Sequence, residues 1–296
     1  MQLAELFKQK TVFSLEVFPP KKIFSNDWIL QSLEDLASVQ PDYISVTLGA
    51  GGQNFQRDET VRISDLIQNQ LGITAVAHVP GIYKSKQNVL HLLDQLESDH
   101  VENILALRGD RLTGKKEVGD FKHANELISF IKKNRPHFSV AAACYPDCHS
   151  EATSFVDDIT NLKRKVDAGT DHLITQLFFD NDSFYSFKEK VEIAGIHVPI
   201  EAGIMPCTNK KQIERITEIT GVPLPLKFRA IMDRYEDNKI AMRDAGIAFA
   251  IDQIVDLVAH HVDGIHLYTM NNAAIAQRIW QATASLFAES KSRLQH

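Results

Sequence analysis

The stretch TVFSLEVFPPKK (11–22) decides the fold of this chain. Phe13, Leu15 and Val17 alternate with Ser14, Glu16 and Phe18, and two prolines end the run. It reads as a strand that stops at Phe18. The turn after a first strand separates two α/β architectures. An open doubly wound sheet that binds a dinucleotide has a glycine-rich turn there. This chain has Pro19, Pro20, Lys21 and Lys22 instead, so the reading is a closed barrel. It also leaves a question: why does an apolar strand carry the carboxylate of Glu16 near its end?

The same rhythm runs through the 296 residues. Apolar, β-prone runs recur at 11–18, 43–49, 73–79, 103–109, 138–145, 172–179, 198–205 and 264–270. Most begin about 30 residues after the one before, the length of a βα unit. Such near-continuous apolar runs suit parallel strands buried on both faces. Helical periods lie between them at 27–40, 59–71 and 150–169, the last from a Ser150 cap to Gly169. Eight repeats of strand and helix predict a (βα)8 TIM barrel, one α/β domain over residues 1–296. The 58 residues between the seventh and eighth runs leave room for an extra helix near 224–236, before a long apolar helix at 239–261.

With 44% hydrophobic and 24% charged residues, the chain has ample material for a core. Its net charge of −6 argues against a nucleic-acid partner or an anionic membrane surface. Three cysteines, Cys144, Cys148 and Cys207, fit reduced thiols better than a disulfide framework. The N-terminus has no apolar leader, and no run approaches the roughly 18 apolar residues of a membrane span. The expected location is the cytoplasm.

In a (βα)8 barrel, chemistry sits at the C-terminal ends of the strands. The eight runs bring Glu16, Thr47, His78, Arg108 with Asp110, Tyr145, Gln176, Met205 and Tyr268 to that rim. Polar groups in apolar runs are costly unless paired or used. Each also has a bland reading. Glu16 can pair with Lys21, His78 can be a hydrogen-bonded core histidine, and the tyrosines can be packed aromatics.

Three motifs are set aside. GDRLTGKK (109–116) resembles a phosphate loop but has Lys116 where a Ser or Thr belongs. Cys144, Cys148 and His149 lack a second ligand pair for zinc. The tripeptide 108–110, RGD, needs a secreted setting to act in adhesion. On the helix at 150–169, Asp158, Asn161 and Lys165 share a face with Arg164 beside them. Two cations and an amide can hold a phosphate-bearing cofactor, although spacing alone fits a solvated face better. A barrel lyase or hydrolase, with His78, Glu16 and Asp110 as metal ligands or bases, stays open on these residues, because fold does not fix function.

Taken together, FSLEVFPPK, YISVTLGAGG, ILALRGD, VAAACYPDCH, NLKRKVDAG, ITQLFFD and HLYTMN resemble the methylenetetrahydrofolate reductase family, in its bacterial single-domain form. The blocks stand in the family's order over about residues 11–272. The resemblance implies an FAD-dependent barrel. It would use NADH or NADPH, NADH favoured, to reduce 5,10-methylenetetrahydrofolate to 5-methyltetrahydrofolate for methionine synthesis. The kinetics would be ping-pong, the assembly a homo-oligomer, and adenosylmethionine would not inhibit.

By the same resemblance Glu16 is the general acid, Asp110 lies near flavin and pterin, and Gln176 binds the pterin. Thr47, His78, Arg108, Gly109, Asp110, Ala124, Tyr145, His149, Asp158, Asn161, Arg164 and Lys165 match FAD-binding positions. Gln212 and Tyr268 match the substrate side. His123, Ile216 and Asn272 stand where the enterobacterial form has tyrosine, phenylalanine and arginine. The last two bear on how the nicotinamide and the folate tail are held.

Overall fold

The computed structural model describes residues 3–20, 26–48, 59–111 and 119–293. Lys21, and the stretch from Leu112 to Lys116 that resembles a phosphate loop, lie outside the described residues. Eight parallel strands close into a barrel in chain order. They are β1 Val12–Val17, β2 Tyr43–Val46, β3 Thr74–Pro80, β4 Asn103–Leu107, β5 Ser139–Cys144, β6 His172–Thr175, β7 Ile200–Ile204 and β8 Gly264–Tyr268. β1 pairs with both β2 and β8, which closes the ring. The helices are α1 Ala4–Phe7, α2 Asn26–Ala37, α3 Glu59–Asp65, α4 Lys86–Ser98, α5 Ala124–Asn134, α6 Phe155–Asp167, α7 Asn181–Ile193, α8 Lys210–Thr220, α9 Leu226–Tyr235, α10 Lys239–Ala259 and α11 Ala273–Arg293.

Strand alternation divides the side chains between two cores. Phe13, Leu15 and Val17 of β1 join the large core between barrel and helices, with residues such as Leu93 and Ile254. Val12, Tyr43, Val76, Leu105, Ala141 and Ile174 form a second cluster, with Leu3 and with Leu6 and Phe7 of α1 against it. The short N-terminal helix thus plugs the floor of the barrel. A third cluster lies past the end of β7, where Leu177, Phe179, Met205, Phe228, Met232 and Met242 tie α9 and α10 to the strand ends.

Several expected boundaries shift, and three of the shifts have a clear local cause or bear on the site. The helical period at 59–71 is α3 followed by a π-helical turn, Leu66–Gln70, in which Leu71 N bonds Leu66 O at 3.1 Å. One residue more per turn is invisible to a 3.6-residue pattern. The helix expected from Ser150 begins at Phe155 instead. Ser154 is its N-cap, with Oγ accepting from Asp157 N at 3.2 Å. Ser150 stays in the preceding loop, which Asp158 anchors by accepting from His149 N at 3.0 Å. The strand expected over 172–179 ends at Thr175, so Gln176 lies in the connection after β6.

The extra helix near 224–236 is α9, and the long apolar helix is α10. A methyl at Gly246 would lie 1.9 Å from the Cys207 carbonyl oxygen, so α10 rests directly on the chain leaving β7. Asn238 caps α10, its Oδ1 accepting from Ile240 N at 3.1 Å and Ala241 N at 3.0 Å. Asn238→Ala should cost about 1 kcal/mol. In a chain of this length that lowers the thermal midpoint by about 2 °C. An unmoved midpoint in a thermal melt contradicts the capping role.

Candidate active site

A cavity of about 560 Å³ opens over the ends of β2 to β5 and one face of α6. Thr47, one residue past β2, lines it and donates its N–H to Val17 O at 2.9 Å. His78 enters from β3, and burial lowers its pKa to about 4 against the opposing pull of Glu16. Arg108, Gly109 and Asp110 follow β4 and form one rim. Arg108 grips Glu151 with both ends of its guanidinium, at 2.6 and 2.7 Å. That guanidinium pulls the Glu151 carboxyl down to about 2.

Tyr145 and His149 follow β5 and meet edge to face at 4.5 Å between ring centres. Burial pushes the Tyr145 hydroxyl pKa up and the His149 pKa down. Ala124, at the start of α5, reaches the cavity from the far side.

Asp158, Asn161, Arg164 and Lys165 all reach the cavity from α6. Asn161 and Arg164 are exposed and bonded to each other, Arg164 Nη1 donating to Asn161 Oδ1 at 2.8 Å. Lys165 reaches deeper. Its ammonium donates to Ala143 O and lies 5.7 Å from the Tyr145 ring centre. Burial lowers its pKa, while the Cys144 thiol and Asp158 oppose that.

The residues assigned to substrate, Asp110 apart, do not line this cavity. Glu16 stands at the end of β1, in register with Ser45 and Tyr268. Its Oε2 lies 3.6 Å from His78 Nε2 and 3.7 Å from His266 Nε2. The sequence suggests a buried carboxyl, yet 21% of the side chain is exposed. Its position one residue before the strand end puts it at the mouth instead.

Tyr268 Oη donates to Thr175 O at 2.7 Å. Its ring has room because residue 203 is glycine; a Cβ there would lie 2.8 Å from it. Gln176 holds itself in place, its Oε1 accepting from Leu177 N at 2.9 Å. Gln212 is in the first turn of α8, its N–H donating to Asn209 Oδ1 at 3.1 Å. Ile216, one turn on, packs against the same third cluster as Tyr268. Asn272 Oδ1 accepts from Ile275 N at 3.2 Å, a capping contact at the start of α11. His123 precedes α5, where Glu126 Oε2 accepts its N–H at 3.3 Å.

Two features escape the sequence reading. Glu151, the partner of Arg108, sits in a loop with no pattern to mark it. The second is a set of polar residues inside the barrel below Glu16. Ser14, Ser45, His172, Glu201 and His266 are all buried there. Ser14 Oγ is 2.9 Å from Glu201 Oε1 and 2.6 Å from His266 Nδ1. Tyr43 Oη donates to Glu201 Oε2. A carboxylate within a strand is the signal that singles out Glu16, and VPIEAGIM (198–205) carries the same signal at Glu201.

The cavity carries groups that can hold phosphates, beside the carboxylates of Asp110, Glu151, Asp157 and Asp158. Arg108, Arg164, Lys165 and Asn161 supply three cations and an amide along its wall. His78 Nε2 is buried there with no hydrogen-bond partner among the described residues. An orphaned polar atom of this kind leaves a hydrogen bond free for a ligand or a water. Those two observations match what FAD requires of a site.

Residues 2–284 match the family described as Methylenetetrahydrofolate reductase. The chain is 33% identical over 279 residues to 5,10-methylenetetrahydrofolate reductase of Escherichia coli K12, covering 94% of this chain and 92% of that one. It is 32% identical over 276 residues to methylenetetrahydrofolate reductase (NADH) 1 of Arabidopsis thaliana, covering 88% of this chain and 46% of that one. The chain therefore spans about half the length of the plant relative. Among solved structures, an uncharacterized protein from Clostridium thermocellum that binds two copies of 5-methyl-5,6,7,8-tetrahydrofolic acid aligns with a TM-score of 0.63. It is 12% identical and covers 93% of this chain and 97% of that one. A 2,3-dimethylmalate lyase aligns with a TM-score of 0.54 at 12% identity. At such identities these two likenesses show the barrel alone.

Proposed function

The chain belongs to the methylenetetrahydrofolate reductase family, and from that premise we propose that it reduces 5,10-methylenetetrahydrofolate to 5-methyltetrahydrofolate, using FAD and NAD(P)H with NADH favoured. The observation that supports this most is one of position. Every residue that the resemblance assigns to the flavin reaches the wall of a single cavity, from four strand ends and two helices. Arg108, Arg164, Lys165 and Asn161 would hold the phosphates, and His78 and Tyr145 would face the ring. FAD, when bound, supplies the two-electron carrier between nicotinamide and folate.

The remaining chemistry falls to the chain. Glu16 gives a proton to N10 of the folate, which opens the five-membered ring to an iminium that can accept reduction. His78 and His266 flank its Oε2 at 3.6 and 3.7 Å. Gln176 offers an amide to the pterin from its connection after β6. Both substrates would use the one site in turn, so double-reciprocal plots should be parallel. No helix among the described residues is long and apolar enough to cross a membrane. We place the reaction in the cytoplasm, with its product feeding methionine synthesis.

The test is an assay of NADH consumption with and without 5,10-methylenetetrahydrofolate, identifying the product and comparing NADPH. Under anaerobic conditions, multiple-turnover NADH consumption that does not depend on the folate, or no 5-methyltetrahydrofolate, contradicts the reading. Asp110, exposed at the cavity rim, sharpens it. Its negative charge disfavours a reduced anionic flavin. Asp110→Asn should therefore raise the midpoint potential of the bound flavin in a dye-coupled titration, and an unchanged potential removes the electrostatic role.

A further inference from the structure

Below Glu16, the barrel axis holds a buried carboxyl that the folate reaction leaves without a role. Glu201, on β7, is fully buried. It faces Ser14 from β1, Tyr43 from β2, His172 from β6 and His266 from β8. His172 Nε2 lies 3.8 Å from Glu201 Oε2, and burial lowers the His172 pKa to about 3, so that ring is neutral. Asp42, at the floor and paired with Lys10, adds a small opposing charge. No cation is in contact with Glu201 among the described residues. Burial raises the Glu201 pKa to about 7, against the pull of His266 and of the hydrogen bonds from Tyr43 and Ser14. The group therefore changes protonation near neutral pH.

For a neutral His266 ring, hydrogen-bond accounting then constrains which nitrogen carries the hydrogen. Ser14 has one hydroxyl proton and sits between Glu201 Oε1 at 2.9 Å and His266 Nδ1 at 2.6 Å. When Glu201 is ionised, Ser14 donates to it, so His266 Nδ1 must carry a hydrogen and donate to Ser14. His266 Nε2 is then an acceptor, with Ser45 Oγ at 3.3 Å. When Glu201 is protonated on Oε1, with Oε2 still accepting from Tyr43, it donates to Ser14 and Ser14 donates to Nδ1. The hydrogen of His266 then sits on Nε2, 3.3 Å from Ser45 Oγ and 3.7 Å from Glu16 Oε2. That last contact is too long for a hydrogen bond and must tighten or take a bridging water.

We propose that Glu201 is a positioning residue: a buried proton store that, through Ser14, sets which nitrogen of His266 carries the hydrogen facing Glu16. The proposal rests on Glu16 being the acid of the folate step. Once Glu16 has given its proton to the folate, His266 Nε2–H restores it. His266 Nδ1 then takes the Ser14 proton, and Ser14 takes the proton of Glu201. One proton leaves Glu201 and one arrives at Glu16, while the hydrogen of His266 passes from Nε2 to Nδ1 and the Ser14 hydroxyl turns from Nδ1 to Glu201.

The primary test needs neither flavin nor substrate. In full-length protein with ¹⁵N-labelled histidine, the His266 nitrogens should exchange roles as pH rises through neutrality, from Nε2–H to Nδ1–H. Glu201→Gln keeps the shape but cannot change charge, so the exchange should vanish. A pH-independent tautomer in the wild type, or an exchange that survives in Glu201→Gln, overturns the proposal. Should Glu201→Gln not fold, Tyr43→Phe decides. Removing that donor destabilises the ionised carboxyl, so the midpoint must move upward; an unmoved midpoint is contrary.

In the holoenzyme, Glu201→Gln should slow the folate half-reaction about tenfold and flatten its pH dependence around neutrality, leaving the NADH half-reaction unchanged. A wild-type pH profile in this variant also counts against the proposal. Failure of the Glu16 assignment is distinguishable, because Glu16→Gln would then keep folate turnover whatever the His266 tautomer does.

Discussion

Glu16→Gln should abolish folate reduction while leaving the flavin site intact. Glutamine keeps the size of the side chain and its contacts with His78 and His266, but it has no acidic proton to give. General acid catalysis of this kind contributes about 10²–10⁴-fold in rate, and the folate half-reaction should fall by that factor. The NADH half-reaction does not need a proton on N10 and should keep its rate. FAD affinity should also hold, because Glu16 is not part of the cavity wall. Rapid mixing of each half-reaction separates these outcomes. Folate turnover near the wild-type rate would remove Glu16 from the mechanism.

Lys165→Met should weaken FAD binding by about 10–100-fold, the value of one charge-assisted hydrogen bond to phosphate in a partly dry site. The cavity has other cations, but they differ in setting. Arg164 is exposed and screened, and Arg108 is already engaged by Glu151. Lys165 is the deep one, with burial lowering its pKa. It should therefore respond most strongly to a nearby phosphate. Arg164→Gln, in contrast, should cost severalfold at most. Fluorescence titration of flavin-free protein with FAD reads both. Equal losses in the two variants, or none with Lys165→Met, contradict the placement of the phosphates.

The barrel itself was legible because parallel strands buried on two faces must be apolar throughout, and the chain shows that at eight places. The PPKK after β1 excluded the glycine turn of the competing fold. Boundaries were less legible. Ser150 and Ser154 are both fair helix caps in isolation; Asp158 decides between them by anchoring His149 in the loop. The face of α6 shows the same limit. Asp158, Asn161, Arg164 and Lys165 have the spacing of a solvated face, and spacing cannot say what the face looks onto. Only the closed barrel brings it to the ends of β4 and β5.

Inside the barrel, the polar layer was hidden for a different reason. His172 and His266 begin or interrupt apolar runs, and nothing within either run marks them. Their inward direction depends on register, Ser14 opposite His266 and Glu201 opposite Gly264, which one strand at a time does not reveal. The placement of Glu16 was only half legible. Its strand was evident, but its position at the mouth, beside two histidines, required the neighbouring strands.

In the proposed reaction one cavity, with Glu16 beside it, would serve NADH and methylenetetrahydrofolate in turn. The most direct measurement is the anaerobic visible spectrum of the purified protein with FAD. It is recorded first alone, then after one equivalent of NADH, then after 5,10-methylenetetrahydrofolate. The account predicts a bound-flavin spectrum that bleaches with NADH and returns with the folate. A spectrum that bleaches but does not return, or FAD that stays free in solution, would contradict it.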